Sequence, residues 1–402
     1  MKPTPESAAV RPRVVQVAPV RGPGTAAVLL EEQIRAHCAA GRRGYVWIEG
    51  GPGAGKTTAL AHLAAVLRDQ PALALLDEPD RSELDAELNR GMLVVYASSG
   101  TAGVPHVTRY ELVVWTADDW IEYLLARHRS ECASVMARVR KAADVDLPAG
   151  NPELCAMILD ELAADESIGD VTSALRRCLE RVFAGRRAAI AARAALGMLA
   201  HTRTLESAEL VQLSRRIGKP AMRLLRHAPV QRLLATDLAV RQFRAGKSCK
   251  WLAHRLPADL VTAVAAVIRA DPEVQQHLAA LFARRKPALQ PMLASLLTAA
   301  RPEWKPQPGE AISLAAAHLR GVQWAGVDLT GCSLQAADLR DADLRDARLD
   351  RARAERTLLA HAVLHGALLH ELRAGFASLA GADLSCARAR AGQFEGADLR
   401  GA

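Results

Sequence analysis

The stretch "ADLRDADLRDARLD", residues 337–350, decides the fold of the last part of this 402-residue chain. It repeats every five residues, with leucine at the third position of each unit. The repeat runs from residue 317 to residue 401 without a phase slip, and Trp324 and Phe394 replace leucine in two units. A period of five fits neither an α-helix nor a flat strand. It predicts a coil that turns a corner every five residues and points one large side chain inward on each side.

This pattern resembles the pentapeptide-repeat family, which implies a right-handed quadrilateral β-helix with four units in each coil. Residues twenty apart would then stack. One predicted ladder comprises Leu319, Leu339, Leu359, Leu379 and Leu399. Because coils lie about 4.8 Å apart, slightly more than four of them would form a rod of roughly 20 Å.

The predicted rod favours binding or assembly over catalysis, because a repeat array offers a regular surface. Residues 317–402 carry 11 basic and 11 acidic side chains, which argues against the acidic DNA mimicry of some family members. We expect a protein partner, or self-association through the ends of the repeat.

The net charge of +8 is unevenly distributed. Residues 1–175 carry 17 basic and 24 acidic side chains, whereas residues 176–305 carry 24 and 8. These shifts predict a multidomain chain with an α/β nucleotide-binding core, an α-helical middle region and the C-terminal β-helix. The predicted parts are a flexible N-terminus (1–23), a core with a short parallel sheet (24–116), a helical lid (117–185), a basic all-helical region (186–310) and the repeat (311–402).

A glycine-rich loop lies in the first of these folded parts. "GYVWIEG", residues 44–50, reads as a buried strand, and "KTTALAHLAAVLRD", residues 56–69, reads as a helix. Between them, residues 50–57 spell G-x-x-x-x-G-K-T, the pattern of a phosphate-binding loop. Lys56 would reach the β- and γ-phosphates, and the Thr57 hydroxyl would ligate Mg²⁺. The predicted nucleotide-binding residues here are Gly50, Gly51, Pro52, Gly53, Ala54, Gly55, Lys56, Thr57 and Thr58.

A second motif, "ALALLDEPD" at residues 72–80, places two carboxylates after a short apolar run. It resembles the Walker B motif of P-loop ATPases. By that resemblance Asp77 would hold Mg²⁺ and Glu78 would be the catalytic residue that polarises water, together with Lys56 on the phosphates. Only about twenty residues separate the two motifs, so the core would be a shortened version of such an ATPase. The alternative is a site that binds nucleotide without hydrolysing it.

Two further features resemble the AAA+ and NACHT-like signalling ATPases. Ser98 or Ser99 follows a strand-like run at the place of a γ-phosphate sensor, and a plain serine-rich loop is an equal alternative. An Asn-Pro pair at residues 151–152 opens a helix, as in the lid of those ATPases, where the proline lies near the adenine. The resemblance assigns Pro152 to the cofactor site, while Asn-Pro is also an ordinary helix start.

The basic charge of residues 176–305 has three possible explanations. It could form a nucleic-acid surface, dock onto the acidic first domain, or consist of solvated arginines of an Arg-rich composition. The seven scattered cysteines predict buried thiols in a reducing compartment and no metal site on protein ligands. No secretory signal is recognised in the first twenty residues, so we expect a cytoplasmic location.

The preferred interpretation is an ATP- and Mg²⁺-dependent switch that hydrolyses ATP and whose rod binds a partner or drives oligomerisation in bacterial signalling or defence. One alternative is a non-catalytic repeat scaffold with a loop that only binds nucleotide. Another is an ATPase stimulated by nucleic acid through the basic region. No guanine signature is present, which favours ATP.

Overall fold

The computed structural model describes residues 10–17, 27–51, 53–98, 104, 106–141, 150–201, 207–246, 249–307 and 312–402. The chain divides into an N-terminal unit, residues 1–184, and a C-terminal unit, residues 185–402. Within the described ranges, no helix has both the length and the apolar character needed to cross a membrane.

The N-terminal unit contains a six-stranded mixed sheet. Its strands are β1 (Arg13–Gln16), β2 (Val28–Leu29), β3 (Gly44–Glu49), β4 (Leu73–Asp77), β5 (Leu93–Ala97) and β6 (Thr108–Leu112). The order is β2-β1-β6-β3-β5-β4, in which β6, β3, β5 and β4 are parallel and β1 is antiparallel to both of its neighbours.

The sheet differs from the prediction in two ways. It is mixed rather than only parallel, and β1 lies inside the segment 1–23 that was predicted to be a flexible terminus. Four residues of β1 carry too short a pattern to indicate a strand by themselves. The strand forms because Val14, which is fully buried, pairs with Leu112 at the edge of the parallel sheet.

Helices cover both faces of this sheet. They are α1 (Leu30–Ala39), α2 (Lys56–Val66) and α3 (Arg81–Asn89). Side chains of β3 alternate, so that Val46 and Ile48 pack in one cluster with residues of α1 and α2. Tyr45 and Trp47 point the other way and join a second cluster that includes Leu84 of α3. Burial on both faces explains why β3 reads as a continuous apolar run.

Four more helices complete the N-terminal unit: α4 (Ala117–Arg127), α5 (Cys132–Lys141), α6 (Pro152–Ala164) and α7 (Val171–Val182). In the sequence, Thr116 followed by Asp119 three residues later predicts a helix cap, and the two residues form a capping box at the start of α4. Helix α6 packs against α4, α5 and α7. The Asn151 side chain caps α6 by accepting a hydrogen bond from the Leu154 amide at 3.2 Å.

The described residues at the start of the C-terminal unit form a run of helices, where the sequence predicted an all-helical region. They are α8 (Arg186–His201), α9 (Ser207–Ile217), α10 (Lys219–Leu225), α11 (Ala228–Arg244), α12 (Ala258–Ile268), α13 (Pro272–Ala283) and α14 (Gln290–Ala300). Helix α11 packs on α8 and α12, and α14 packs on α12 and α13. A 3-10 turn, Lys250–Ala253, lies between α11 and α12.

The remaining residues, 312–402, form the rod, a β-helix built of coils twenty residues long. Parallel bridges join each coil to the next, from Ser313 with Ser333 to Ser378 with Asp398. The repeat therefore starts at Ile312, one unit before the position read from the sequence. In the predicted leucine ladder, Leu339 is fully buried, whereas Leu399 in the last coil is 43% exposed.

Helix α14 lies against the first coil of the rod. The Ser295 hydroxyl accepts the His318 amide at 2.9 Å, and the Gln290 side chain accepts the Ser313 amide at 2.9 Å. The Trp324 indole donates to the Trp304 carbonyl at 2.8 Å. The contacts of Ser295 and Gln290 satisfy backbone donors that the first coil would otherwise leave unpaired at its edge.

Candidate functional site

The glycine-rich loop joins the carboxyl end of β3 to the start of α2. Gly55, the N-cap of α2, has φ of 88°, in the left-handed region where a side chain is strained. Gly50 is required for a different reason, because a Cβ there would lie 2.9 Å from Ala54 Cβ. The loop is closed by a hydrogen bond from the Ala54 amide to the Gly51 carbonyl at 3.2 Å. Its glycines thus permit a tight curl in front of a helix.

Lys56 is the first residue of α2 and folds back over this curl. Its ammonium donates to the Gly50 carbonyl at 2.6 Å and to the Gly51 carbonyl at 3.2 Å. An ammonium has three donors, so these two bonds leave it one proton for another acceptor. The first turn of α2 contains no acidic residue, and its positive end therefore faces the loop without a neutralising side chain.

Thr57 and Asp77 come from the two separate motifs, and their side chains meet. The Thr57 hydroxyl donates to the Asp77 carboxylate at 2.7 Å. Asp77 is the last residue of β4, and its neighbour across the sheet is Ala97 of β5. The pair therefore lies at the carboxyl end of the parallel strands, beside the glycine-rich loop.

Glu78 follows Asp77 in a left-handed backbone conformation, with φ of 50°. Its amide donates to the Ala97 carbonyl at 2.8 Å, which extends the β4–β5 ladder by one residue. The residue precedes Pro79, and a residue before proline is already restricted. A non-glycine residue in this conformation is a local strain that the surrounding ladder maintains.

The start of α6 also reaches the loop. The Glu153 amide donates to the Gly53 carbonyl at 3.3 Å, and Pro152 is the first residue of the helix. Gly150 leads into this contact with φ of 65°, and a Cβ there would lie 2.6 Å from the Trp115 carbonyl oxygen. Sequence reasoning placed Pro152 near the site by resemblance but found neither Gly150 nor Glu153, because a contact between distant segments leaves no local pattern.

The strand order has a switch point at this edge of the sheet. After β3 the chain crosses β5 to form β4, and after β5 it crosses β3 to form β6. Ligands of open α/β sheets bind at the carboxyl ends of strands where the connections diverge in this way. Ser98, 7% exposed, follows β5 there. Two predicted binding residues, Pro52 and Ser99, lie outside the described residues.

A buried polar network connects α2 to α1. His62 of α2 and Arg11 both bond the carboxylate of Glu31 on α1, with Arg11 Nε at 2.9 Å. Burial raises the pKa of Glu31, but the bonds from His62 and Arg11 outweigh it and hold the pKa below its ordinary value. The carboxylate thus stays ionised and joins α1, α2 and the segment before β1.

The rod offers a second surface, whose charges are largely paired within it. Arg340 forms two bonds to Asp338, at 2.8 and 2.7 Å, and Arg345 binds Asp343 in the same way. Because each pair lies in one five-residue unit, the aspartate and the arginine of each "DLR" sequence neutralise each other's charge. Among the described residues of the whole chain, no cluster of three or more His, Cys, Asp or Glu could hold a metal ion.

The rod is the part of the chain that matches a known protein family. The family model of pentapeptide repeats matches residues 312–346, 337–371 and 362–401. Residues 312–401 are a pentapeptide-repeat domain. Pentapeptide repeats suggest a scaffold for protein interaction. No curated protein matches the chain.

Solved pentapeptide-repeat proteins resemble the same region. HetL, involved in heterocyst differentiation regulation in the cyanobacterium Nostoc sp. strain PCC 7120, is 30% identical, with a TM-score of 0.20. The match covers 22% of this chain and 46% of HetL, so the chain spans about half the length of that relative. Another pentapeptide-repeat protein of Nostoc PCC 7120 is 28% identical, with a TM-score of 0.12, over 22% of this chain and 84% of that one.

Proposed function

We propose that this protein is a nucleotide-dependent switch that joins an ATP-binding and ATP-hydrolysing P-loop unit, of the AAA+/NACHT-like kind, to a pentapeptide-repeat scaffold. The observation that carries the proposal is the 2.7 Å hydrogen bond between Thr57 and Asp77. The two residues were assigned to Mg²⁺ from separate motifs, and a shared ligand explains why both would lie at one point.

The loop has the donors that a polyphosphate needs. Lys56 retains one ammonium proton beyond its two carbonyl bonds, and the amides of the curl and the start of α2 present positive dipoles. Anions are favoured at such a helix start. We assign the β- and γ-phosphates to this curl, with Lys56 donating to them.

The donor set of Thr57 and Asp77 fits Mg²⁺. This ion prefers hard oxygen ligands and is usually bound through one or two protein oxygens plus water and substrate phosphates. The Thr57 hydroxyl and the Asp77 carboxylate are in contact, so both can turn toward one shared ion. When bound, the ion would neutralise the charge that develops on the phosphates.

Glu78 is the residue we assign to the attacking water. The Glu78 amide is bonded to the Ala97 carbonyl, which places the backbone of this residue one position beyond Asp77. A carboxylate in that place can accept a proton from water and orient it toward the terminal phosphate. The left-handed backbone at Glu78 is consistent with strain kept at a working site.

Nucleotide occupancy would be transmitted through α6. The Gly53 carbonyl that accepts from the Glu153 amide belongs to the same curl that would hold the phosphates. A rearrangement of this curl would therefore shift the start of α6, and with it α4 and α7, which pack on that helix. In this proposal the pentapeptide-repeat scaffold recognises a protein partner or a second copy of the chain.

The test is phosphate release from Mg-ATP by wild type, Lys56→Ala and Glu78→Gln. Glu87→Gln on α3 is the control, since it makes the same chemical change outside the site. We expect wild type and the control to turn over and both site variants to fall at least about tenfold, since a general base typically contributes ~10²–10⁴-fold and Lys56 is assigned to the phosphates.

Two other results would revise the proposal. If no protein releases phosphate but wild type binds ATP and Lys56→Ala does not, the protein is a non-hydrolysing, nucleotide-bound scaffold. If wild type neither binds nor hydrolyses ATP, the P-loop assignment is wrong.

A further inference from the structure

The basic charge of the C-terminal unit is concentrated where α9 meets α10. From residue 210 to residue 236 the chain contains six arginines and lysines and no acidic residue. Five of these cations are exposed, and Arg223 is one of them. We call the other four, Arg215, Arg216, Lys219 and Arg226, the basic corner. Gly218, with φ of 93°, makes the turn between the two helices.

Helix geometry places most of the corner on one face. Lys219 is the first residue of α10, and Arg226 is its C-cap in a helical conformation. The two residues are seven positions apart, so they lie on the same side of the helix. The opposite side is buried, with Ala221, Met222 and Leu225 against the bundle. Arg215 and Arg216 end α9, immediately before the turn.

Helix stability does not account for this arrangement. Arg215 and Arg216 complement the negative end of α9, but Lys219 is the first residue of α10, where a cation opposes the helix dipole. Helix α8 also begins with two exposed cations, Arg186 and Arg187, and has no acidic residue in its first turn. The cations at the starts of α8 and α10 oppose the helix dipole, so helix stability does not explain them.

The contrast with the rod supports this conclusion. There Arg340, Arg345 and Arg400 each bind an aspartate of their own unit. In the basic corner, none of the four cations forms an ion pair with a described residue. The unbalanced charge of the C-terminal unit is therefore presented by its helices and not by the pentapeptide repeats.

We infer that the basic corner binds the phosphate backbone of a nucleic-acid duplex, without reading its sequence. Lys219 and Arg226 are about 10 Å apart along the helix axis, which matches about three phosphates of one strand. Guanidinium groups suit phosphates because their forked donors bind two oxygens at once.

Duplex is favoured over single strand and over an acidic protein. A single-strand platform needs exposed aromatic side chains, and the one aromatic residue among the described residues of 207–246, Phe243, is buried. A protein interface needs an apolar centre, and Val211 is the one large apolar side chain exposed near the corner. The inference does not depend on nucleotide binding at the P-loop.

The experiment measures binding of the full chain to short fluorescent DNA and RNA duplexes across about 50 to 200 mM salt. The test variant carries Arg215→Gln, Arg216→Gln, Lys219→Gln and Arg226→Gln. The matched control carries Arg356→Gln, Arg373→Gln, Arg388→Gln and Arg390→Gln on the rod, which removes the same charge. Circular dichroism confirms that both variants remain folded.

We expect the test variant to bind duplex at least tenfold more weakly, with a salt slope reduced by about two to four, since each phosphate contact contributes about 0.9. The rod control should stay within about twofold of wild type. Tighter binding to the DNA duplex or to the RNA duplex then identifies which of the two the protein prefers.

The inference is overturned if wild type does not bind either duplex at low salt, or if the rod control loses as much affinity as the test variant. It is also overturned if a polyglutamate peptide binds more tightly than duplex and is the ligand that the test variant loses, since the corner would then serve an acidic protein.

Discussion

The hydroxyl of Thr57 and the carboxylate of Asp77 are 2.7 Å apart, although twenty residues separate them in the chain. The contact requires that α2 start directly beside the carboxyl end of β4, with β5 between β3 and β4 in the sheet. It links the two motifs that the proposed function needs. A substitution in either motif should therefore have a defined effect on nucleotide binding or turnover.

Asp77→Asn should weaken binding of Mg-ATP by tenfold or more, because an amide is a poorer ligand for a hard cation than a carboxylate. Isothermal titration with Mg²⁺ and with excess chelator checks this, since the loss should disappear without the metal. Asp80→Asn is the control. Asp80 caps α3, so that variant should affect stability and leave nucleotide affinity unchanged. Equal affinities for wild type and Asp77→Asn would contradict the metal assignment.

Glu78→Gly should be more stable than Glu78→Ala, the reverse of the order in an ordinary helix or strand. The reason is φ of 50° at this position, where an L side chain costs about 1–2 kcal/mol and glycine does not. Urea unfolding of the two variants measures the difference, and both should lack ATP turnover. An alanine variant as stable as the glycine variant would show that Glu78 is unstrained.

Gly150→Ala should destabilise the N-terminal unit by about 2–4 kcal/mol, through a left-handed backbone and an overpacked contact. The new Cβ would lie 2.6 Å from the Trp115 carbonyl oxygen and 2.9 Å from Val114 Cβ. Gly41→Ala is the control, because Gly41 has φ of 62° but no atom within 4 Å of an added Cβ. It should cost about 1–2 kcal/mol. Equal losses in thermal unfolding would mean that the contact at Gly150 relaxes freely.

Local and periodic features of this protein could be predicted from the sequence. The leucine ladder is one, because a period of five holds over every coil, and Leu319 and Leu339 are both fully buried. The capping box of Thr116 and Asp119 is another, since it lies within one turn of chain. The prediction that a helix begins near Lys56 is confirmed for the same reason.

Features that depend on distant pairing could not be predicted. The insertion of β5 between β3 and β4 leaves no trace in either strand, because each is simply apolar on both faces. The bond from Glu153 to Gly53 joins residues one hundred positions apart. Strand β1 is held by its pairing with β6, so its short pattern did not indicate it.

Leu339→Ala should cost about 2–5 kcal/mol of stability, because it empties a fully buried position inside the rod. Leu399→Ala, sixty residues later in the same ladder, should cost less than about 1 kcal/mol, since that side chain is 43% exposed. Denaturant unfolding of the two variants tests whether the coils form one stacked core. Similar costs at both positions would show that the ladder is not buried as a unit.

Acid should weaken the rod through Asp338. The hydrogen bonds from Arg340 hold the pKa of this carboxyl below its ordinary value, while burial opposes them. A folded-state pKa below the unfolded one contributes stability that is complete above the unfolded pKa, about 3.9 for aspartate, and is lost as pH falls through the folded pKa.

Arg340→Gln should therefore lower the denaturant midpoint at neutral pH and flatten its decline below about pH 4. Arg356→Gln, on an exposed residue of the rod, should keep the wild-type profile. Parallel acid profiles for wild type and Arg340→Gln would show that the pair contributes nothing to the stability of the rod.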